Sequence, residues 1–177
     1  MKNNNGKINT NKIKKHNIPP IFSKDSKILI LGSFPSVISR DREFYYANPK
    51  NRFWSVLGAV FNDMVPEDTE GKKMFLQKHK IALWDVVACC EIESSKDSSI
   101  KNITPNNIEY VLNNSSVEKI FTNGKTADKL YDKFFKDKIK LFKQNLPSTS
   151  PANASYRLEN LILIWKEKIN KEKNGKK

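Results

Sequence analysis

One loop of this chain gathers side chains suited to holding an unstacked base and its phosphates. Three consecutive aromatic residues, Phe44, Tyr45 and Tyr46, lie among basic residues in the segment 40–52, and Asn51 precedes a further aromatic pair. Aromatic faces stack on bases, while the cations attract phosphates. For any single residue, packing in the core or on a solvated rim is the simpler interpretation. For the cluster as a whole, a binding role is favoured.

A second loop with chemical potential follows the first apolar strand of the chain. This predicted strand spans 28–31 and breaks at the sequence GSFPS over 32–36. Glycine frees the backbone there and proline fixes it, so the chain turns. The two serine hydroxyls of the loop are suited to an oxygen-rich ligand.

Polar residues also follow the other predicted strands. They are Asp85, Asn123, Ser148 and Ser150. Because the carboxyl ends of parallel strands meet at one edge of a sheet, we expect these side chains to gather with the GSFPS loop in one site.

Strands alternate with helices along the sequence, which predicts an α/β fold with a central parallel four-stranded sheet flanked by helices. Thr104 is the expected cap of the third helix, with Pro105 at its first position. The predicted strands span 28–31, 81–87, 117–122 and 139–146, and the predicted helices span 51–62, 70–80, 105–112, 126–135 and 154–171.

Length and charge predict one folded domain with two basic ends. A chain of 177 residues supports a single core without metals or disulfides. Ten of the thirteen net positive charges lie in the first 27 and the last twelve residues. We therefore expect a flexible Lys/Asn-rich tail over 1–26, a folded domain over 27–170 and a basic tail over 171–177. The local cluster at 40–52 is better evidence for a polyanionic partner than the total charge.

Several function classes are excluded by what the sequence lacks. No window approaches the roughly 20 apolar residues of a membrane helix, and no apolar segment resembles a signal peptide. Cys89 and Cys90 are adjacent, which provides neither a disulfide framework nor metal-ligand spacing. Dinucleotide and phosphate-loop motifs are absent, and His16 and His79 offer no serine–histidine triad. We expect a cytoplasmic protein with no membrane association and no metal.

Five motifs in order carry a resemblance to a known family. They are GSFPS, FYYANPKNRFW, LWDVV, IFTNGK and LPSTSPAN, and they cover about residues 27–165. Together they resemble the uracil-DNA glycosylase superfamily and, more narrowly, its hypoxanthine-DNA glycosylase branch. The resemblance implies a cofactor-free, monofunctional and monomeric enzyme whose partner is DNA containing deaminated bases. Such an enzyme flips a damaged nucleotide from the duplex and hydrolyses its N-glycosidic bond in base excision repair.

The resemblance also assigns roles to individual residues. Asn51 is expected to orient or polarise the attacking water, although asparagine is equally a favoured helix cap. Asn153 or a neighbour is the expected wedge in the vacated stack, and Asp85 is assigned a structural role. The residues expected to hold the base are Phe44, Tyr45, Tyr46, Asn123, Gly32, Ser33 and Phe34. Those expected to contact DNA phosphates are Ser36, Arg52, Lys125, Ser148, Ser150 and Asn153.

Two departures and two alternatives remain. Asn48 stands where the family has a histidine before proline, and asparagine cannot take up a proton in its place. Two adjacent cysteines cannot supply the four ligands of an iron–sulfur cluster, which excludes the branches that carry one. The alternatives are a pocket that prefers uracil and a nucleic-acid-binding module that has lost catalysis.

Overall fold

Four strands form the parallel sheet that the alternating pattern predicts. The computed structural model describes residues 12–92 and 100–170. In chain order the strands are β1 (Lys12–Lys15), β2 (Ile28–Gly32), β3 (Ile81–Asp85), β4 (Val87–Ile92), β5 (Ile100–Pro105), β6 (Lys119–Asn123) and β7 (Phe142–Leu146). The helices are α1 (Val37–Asp41), α2 (Phe53–Phe61), α3 (Thr69–Lys78), α4 (Ile108–Asn113), α5 (Lys125–Phe135) and α6 (Leu158–Asn170).

The central sheet has the strand order β3-β2-β6-β7, and all of its pairings are parallel. Leu29, Ile30 and Leu31 of β2 are fully buried, as expected for a parallel strand covered on both faces. Helix α3 contacts β3, α5 contacts β6 and β7, and α6 contacts both β7 and α2. The predicted α/β class with a four-stranded parallel sheet is therefore confirmed. No helix within the described residues combines the length and apolarity needed to cross a membrane.

A second, antiparallel sheet with the order β1-β4-β5 was not predicted. The predicted strand 81–87 divides at Val86, whose N–H donates to the Gly32 carbonyl at 2.9 Å, and the chain then enters β4. The prediction that Thr104 caps a helix is wrong, because Thr104 and Pro105 end β5. Pairing with β4 outweighs the local capping pattern, and α4 begins three residues later than predicted, with Asn107 as its cap.

Much of the expected N-terminal tail is part of the folded body. Residues 12–15 pair with β4, and Ile18 is only 6% exposed. Ile21 exchanges two backbone hydrogen bonds with Leu83, at 3.0 and 2.8 Å. The Tyr45 hydroxyl also hydrogen-bonds to this segment, through the carbonyls of Ile18 at 3.0 Å and Pro19 at 3.1 Å. The tail boundary at residue 26 therefore needs correction over 12–26, while 1–11 and 171–177 lie outside the described residues.

The loop between β7 and α6 is held by the side chain of Arg52. Its Nη2 donates to the carbonyls of Ser150 at 2.8 Å and Asn153 at 2.9 Å, and its Nη1 donates to the Tyr156 carbonyl. Its Nε lies 3.4 Å from the Thr149 carbonyl, which also accepts from the Arg52 backbone N–H at 3.1 Å. These carbonyls have no helical or sheet partner. Arg52 thus supplies the hydrogen-bond donors that a helix or a sheet would otherwise give to this loop. Helix α6 begins at 158 rather than at the predicted 154.

The Tyr45 contact predicts a measurable link between the N-terminal segment and the body. Tyr45→Phe should lower the free energy of unfolding by about 1 kcal/mol, because two carbonyls lose a buried hydrogen-bond donor. Denaturant unfolding gives this value, and hydrogen exchange should quicken around residues 18–21. Tyr110→Phe is the matched control, since Tyr110 is half exposed. Equal effects of the two substitutions would contradict the contact.

Arg52→Lys should destabilise the protein by about 2 to 3 kcal/mol, because a lysine ammonium cannot reproduce the guanidinium fork that reaches several carbonyls. Denaturant unfolding and hydrogen exchange of 149–156 are the measurements. Arg157→Lys, at an exposed position next to the loop, is the control. If Arg52 instead serves a phosphate, stability will stay constant and only the salt dependence of DNA binding will change.

Candidate active site

The carboxyl ends of the central strands meet around a cavity of about 880 Å³. Gly32 at the end of β2 lies in register with Asp85 at the end of β3, and Asn123 ends β6 beside them. The cavity is lined by most of the predicted site residues: Gly32, Ser33, Phe34, Ser36, Tyr45, Tyr46, Asn51, Asn123, Lys125, Ser148 and Ser150. Three predicted residues, Phe44, Arg52 and Asn153, do not line it.

Asp85 lies at one end of this cavity against the backbone of Gly32. The carboxyl group is 97% buried within a strand whose other residues are apolar. A Cβ placed on Gly32 would lie 2.1 Å from Asp85 Oδ1 and 3.0 Å from the Tyr46 hydroxyl. Glycine is therefore required at position 32 because the carboxylate and the phenol occupy the space of a side chain.

Tyr46 is the aromatic residue of the loop that faces the cavity. Its ring stacks on Phe53 with centroids 3.8 Å apart and planes 14° from parallel. Its backbone has φ of 52°, a left-handed conformation that is uncommon for tyrosine. Burial, and to a smaller degree the Asp85 carboxylate, raises the pKa of Tyr46 above its ordinary value, so the hydroxyl keeps its proton.

Asn123 joins three parts of the site through its amide. Its Nδ2 donates to the Tyr46 hydroxyl at 3.1 Å and to Thr149 Oγ1 at 2.9 Å. Its Oδ1 accepts from the Thr149 backbone N–H at 3.0 Å, which fixes which end of the amide faces the loop. An amide engaged at both ends orients Tyr46 and the loop after β7. Its expected contact with a base would require one of these bonds to exchange.

Asn51 stands at the border between two cavities, and its Oδ1 accepts from the Phe53 backbone N–H at 3.0 Å. This bond tightens the entry to α2, where Arg52 itself makes no side-chain cap. Arg52 occupies the N-cap position and Asn51 precedes it, so the predicted N-cap role of Asn51 is corrected to a turn bond just before the helix. The bond uses one of the two lone pairs of Oδ1, and Nδ2 makes no hydrogen bond to the described residues. The side chain is thus fixed while one end remains able to meet a water.

The serines expected to contact phosphates accept hydrogen bonds from backbone N–H groups of their own turns. Ser36 Oγ accepts from the Ser39 N–H at 3.2 Å, as the cap of α1. Ser148 Oγ accepts from the Ser150 N–H, and Ser150 Oγ from the Ala152 N–H, both at 3.2 Å. Asn153 Nδ2 donates to the Ser148 carbonyl at 2.8 Å, which turns this side chain toward its own loop. Lys125, by contrast, is exposed at the cavity.

Two of the three loop aromatics are core residues. Phe44 is buried and stacks on Trp54, with centroids 5.8 Å apart, and lines a separate cavity of about 720 Å³. Tyr45 is fully buried, with its hydroxyl engaged by the N-terminal segment. The expectation that either ring stacks on a flipped base has no support in this geometry. The core interpretation applies to both.

The sequence analysis placed Asp85 at this site but favoured a structural role for it, and it missed the N-terminal segment. The signal that indicates Asp85 is an acidic residue at the end of an apolar strand, in the same place that Gly32 occupies after the first strand. Lys14 lines the cavity, and His16 packs edge-on against Phe34 with centroids 5.4 Å apart. Burial lowers the pKa of His16, whose neutral ring donates through Nε2 to the Val87 carbonyl at 2.8 Å. No signal in the sequence indicated that residues 14 and 16 fold back onto the site.

Metal ligation has no candidate in the described part of the chain, where no three His, Cys, Asp or Glu side chains are grouped to hold an ion. Cys89 and Cys90 lie side by side on β4. The groups that line the cavity are carboxylates, a protonated phenol, amides, hydroxyls and the cations of Lys14, Arg40 and Lys125.

Comparison with known proteins agrees with this arrangement. The chain matches the model of the uracil DNA glycosylase superfamily over residues 19–172. A hypoxanthine DNA glycosylase from Methanosarcina barkeri is 31% identical over 117 residues, which cover 65% of this chain and 74% of the relative. One from Methanosarcina acetivorans is 38% identical over 87 residues, which cover 49% of this chain and 55% of the relative.

A solved structure gives the same result for the fold. The solution NMR structure of a protein from Methanosarcina acetivorans, proposed to be a uracil DNA glycosylase, superposes with a TM-score of 0.73 at 28% sequence identity. The match covers 88% of this chain and 98% of that one. Because the family model spans most of the sequence and the fold agrees with it, the chain belongs to the uracil DNA glycosylase superfamily.

Proposed function

We propose that this protein is a monofunctional DNA glycosylase that removes hypoxanthine from deaminated DNA. The observation that carries the proposal is the cavity at the strand ends, which has a buried carboxylate and a protonated phenol at one end and Asn51 at its border. A volume of about 880 Å³ suits a nucleotide-sized ligand. The names of the two relatives support the choice of base.

Asp85 and Tyr46 suit the hydrogen-bonding edge of hypoxanthine. That edge has an N1–H donor beside the O6 acceptor. The Asp85 carboxylate can accept from N1–H, and the Tyr46 hydroxyl, which already accepts from Asn123, keeps its proton to donate to O6. Adenine has a lone pair at N1, which a carboxylate repels. Guanine shares the hypoxanthine edge but is held in its pair by an additional hydrogen bond, so its extrusion costs more.

Uracil has the same sequence of donor and acceptor, at N3–H and O4. The edge contacts alone therefore favour deaminated bases over adenine without separating hypoxanthine from uracil. The identity of the relatives and the size of the cavity favour the purine.

Hydrolysis in this site needs a water on the sugar and a stabilised leaving base. As the bond between C1′ and N9 lengthens, positive charge develops on the sugar and negative charge on the base. A donor at O6 from Tyr46 stabilises the departing base. The remaining lone pair of Asn51 Oδ1 orients a water toward C1′, and the bond from C1′ to N9 breaks as the water oxygen forms the new bond to C1′. The water loses one proton to solvent, and the departing base anion takes up one proton from solvent. The products are free hypoxanthine and an abasic site.

A base-release assay tests the function directly. Labelled duplexes with one deoxyinosine, deoxyuridine or deoxyxanthosine are incubated with protein and then treated with alkali, which cuts abasic sites. Cleavage mainly at deoxyinosine is expected. Cleavage mainly at deoxyuridine would change the substrate, and no cleavage by folded protein that binds duplex DNA would indicate a binding module.

Asn51 is tested by substitutions that separate the turn bond from catalysis. Asn51→Ala should reduce base release by about 10²-fold or more, and should cost about 1 kcal/mol of stability through loss of the bond to Phe53. Asn51→Ser makes a similar but weaker turn bond and is too short to hold the water. The serine variant should therefore regain stability and remain inactive, with DNA affinity unchanged. Recovery of activity in step with stability would mean that Asn51 only holds the turn before α2.

Asp85→Asn should reduce kcat/KM for deoxyinosine by roughly 10- to 100-fold, because a hydrogen bond to a charged group contributes about 1.5 to 3 kcal/mol. The substitution preserves shape, so the free energy of unfolding should not fall. Asp41→Asn is the matched control, since Asp41 is an exposed carboxylate on the lining of the same cavity. A structural role for Asp85 predicts the opposite result, lower stability with unchanged kcat/KM in the folded fraction.

A further inference from the structure

Strand β1 brings one lysine side chain to the mouth of the cavity. Ile13 and Lys15 are exposed whereas His16 is buried, so the side chains of this segment alternate between solvent and the protein. Lys14 lies on the same side of the strand as His16, is partly buried and lines the cavity, which Lys15 does not. The strand therefore divides two neighbouring lysines between a cavity face and a solvent face.

Strand pairing and the His16 side chain hold β1 in this position. The strand pairs with β4 along its whole length. The His16 N–H donates to the Ala88 carbonyl at 3.2 Å, and the His16 Nε2 donates to the Val87 carbonyl at 2.8 Å. The His16 ring also packs edge-on against Phe34 in the loop after β2. Because the backbone is fixed, only the stem of Lys14 has freedom to lose when the ammonium binds a ligand.

Lys14 is a cation without an acidic partner. No ion pair within the described residues includes it. The first 24 residues of the sequence contain six lysines and no aspartate or glutamate, so the adjacent sequence supplies no opposite charge. Among the described residues that line the cavity, Asp41 is the one exposed carboxylate, against three cations. The mouth of the cavity thus suits an anionic group of a ligand.

We propose that Lys14 binds a backbone phosphate next to the flipped nucleotide, so that β1 forms one side of the surface that DNA occupies. The inference rests on the proposed function, because a nucleotide that enters the cavity brings the phosphates of its own strand to the mouth. The Asp85 carboxylate suits the N–H of the base but repels these phosphates. A lysine ammonium at the mouth offsets that repulsion and binds phosphate as a point charge.

The other cations of the lining leave room for this role. The Arg40 Nη1 donates to the Pro35 carbonyl at 2.6 Å, and the Arg40 guanidinium carbon lies 5.2 Å from the centre of the Phe34 ring, so Arg40 is occupied by its own loop. Lys125 is exposed and was expected from the sequence to contact a phosphate. Lys14 adds a second such cation, from a strand that precedes the range matched to the superfamily.

Lys14→Gln and Lys15→Gln form the matched pair for the test, because each removes one positive charge from the same strand and only Lys14 faces the cavity. Binding to a duplex with a tetrahydrofuran abasic-site analogue, which the protein cannot hydrolyse, is measured at several salt concentrations. One lost phosphate contact lowers the slope of log K against log salt by about 0.9. The advantage of the wild type over Lys14→Gln should therefore grow about three- to fourfold between 200 and 50 mM salt. Lys15→Gln should keep the wild-type slope.

A neutral phosphate analogue shows whether a single phosphate is the partner. Methylphosphonate groups replace the phosphates around the abasic-site analogue one at a time, which removes the charge of each in turn. At one position the wild type should lose affinity while Lys14→Gln loses none, because the contact is already absent in the variant. Lys15→Gln should respond as the wild type does at every position. Lys14→Arg, which keeps the charge, should retain both the slope and the sensitive position.

Two results would overturn the assignment of Lys14. Equal loss of slope in Lys14→Gln and Lys15→Gln would mean that β1 contributes only a general attraction for DNA. A difference between the wild type and Lys14→Gln that stays constant at every methylphosphonate position would mean that no single phosphate is bound.

The binding measurements are independent of the chemistry. If the wild type releases no base from deoxyinosine, the proposed function fails, and the slopes and the methylphosphonate positions still decide the role of Lys14. If the wild type releases the base and no methylphosphonate position separates it from Lys14→Gln, the proposed function stands and the Lys14 contact is rejected.

Discussion

The geometry of this site depends on the guanidinium of Arg52. A loop rich in proline and small polar residues joins β7 to α6, and its carbonyls point inward without a helix or sheet to receive them. The Ser150 carbonyl also accepts from the Asn153 N–H, and the guanidinium adds donors to it and to two further carbonyls of the loop, each bond to a charged group contributing about 1.5 to 3 kcal/mol. The planar fork of arginine reaches these carbonyls together. Arg52 thereby also holds its neighbour Asn51 at the border of the cavity. The loop and the residue proposed to orient water therefore depend on the same side chain.

A second set of hydrogen bonds links the loop after β7 to the end of β6 and to the aromatic loop. The Thr149 carbonyl accepts from Arg52, its hydroxyl accepts from Asn123 Nδ2, and its N–H donates to Asn123 Oδ1. Asn123 Nδ2 also donates to the Tyr46 hydroxyl. The Tyr46 ring rests on Phe53, the first residue of α2. The chain of contacts therefore closes on itself, from the loop after β7 through β6 to the aromatic loop and back to α2. Such closure explains how Tyr46 keeps a left-handed backbone conformation without glycine.

The sequence identified the positions of the site more reliably than their roles. The strand ends were predictable because buried parallel strands have a continuous apolar signal and their loops share one edge. Arg52 and Asn123 were assigned to ligand, and in the structure Arg52 donates to backbone carbonyls while Asn123 bonds Tyr46 and Thr149. The residue types that bind phosphates and bases also satisfy groups within the protein. Thr104 and Pro105 were assigned to a helix because a cap pattern is local, whereas the pairing of β5 with β4 is not. Only the tertiary partners distinguish these cases.

Asp85 shows the reverse situation, in which a residue assigned to structure has a geometry that favours function. A buried carboxylate is costly to desolvate, and an apolar residue of similar volume would stabilise the end of β3 at least as well. The protein also gives up a side chain at Gly32, since a Cβ there would lie 2.1 Å from Asp85 Oδ1. The buried charge of Asp85 and the missing side chain at Gly32 both lower stability, and the two residues are paired in adjacent strands. Packing alone does not explain them. They are expected where a charged acceptor must face a ligand, and the N–H of a deaminated base in the cavity is such a ligand.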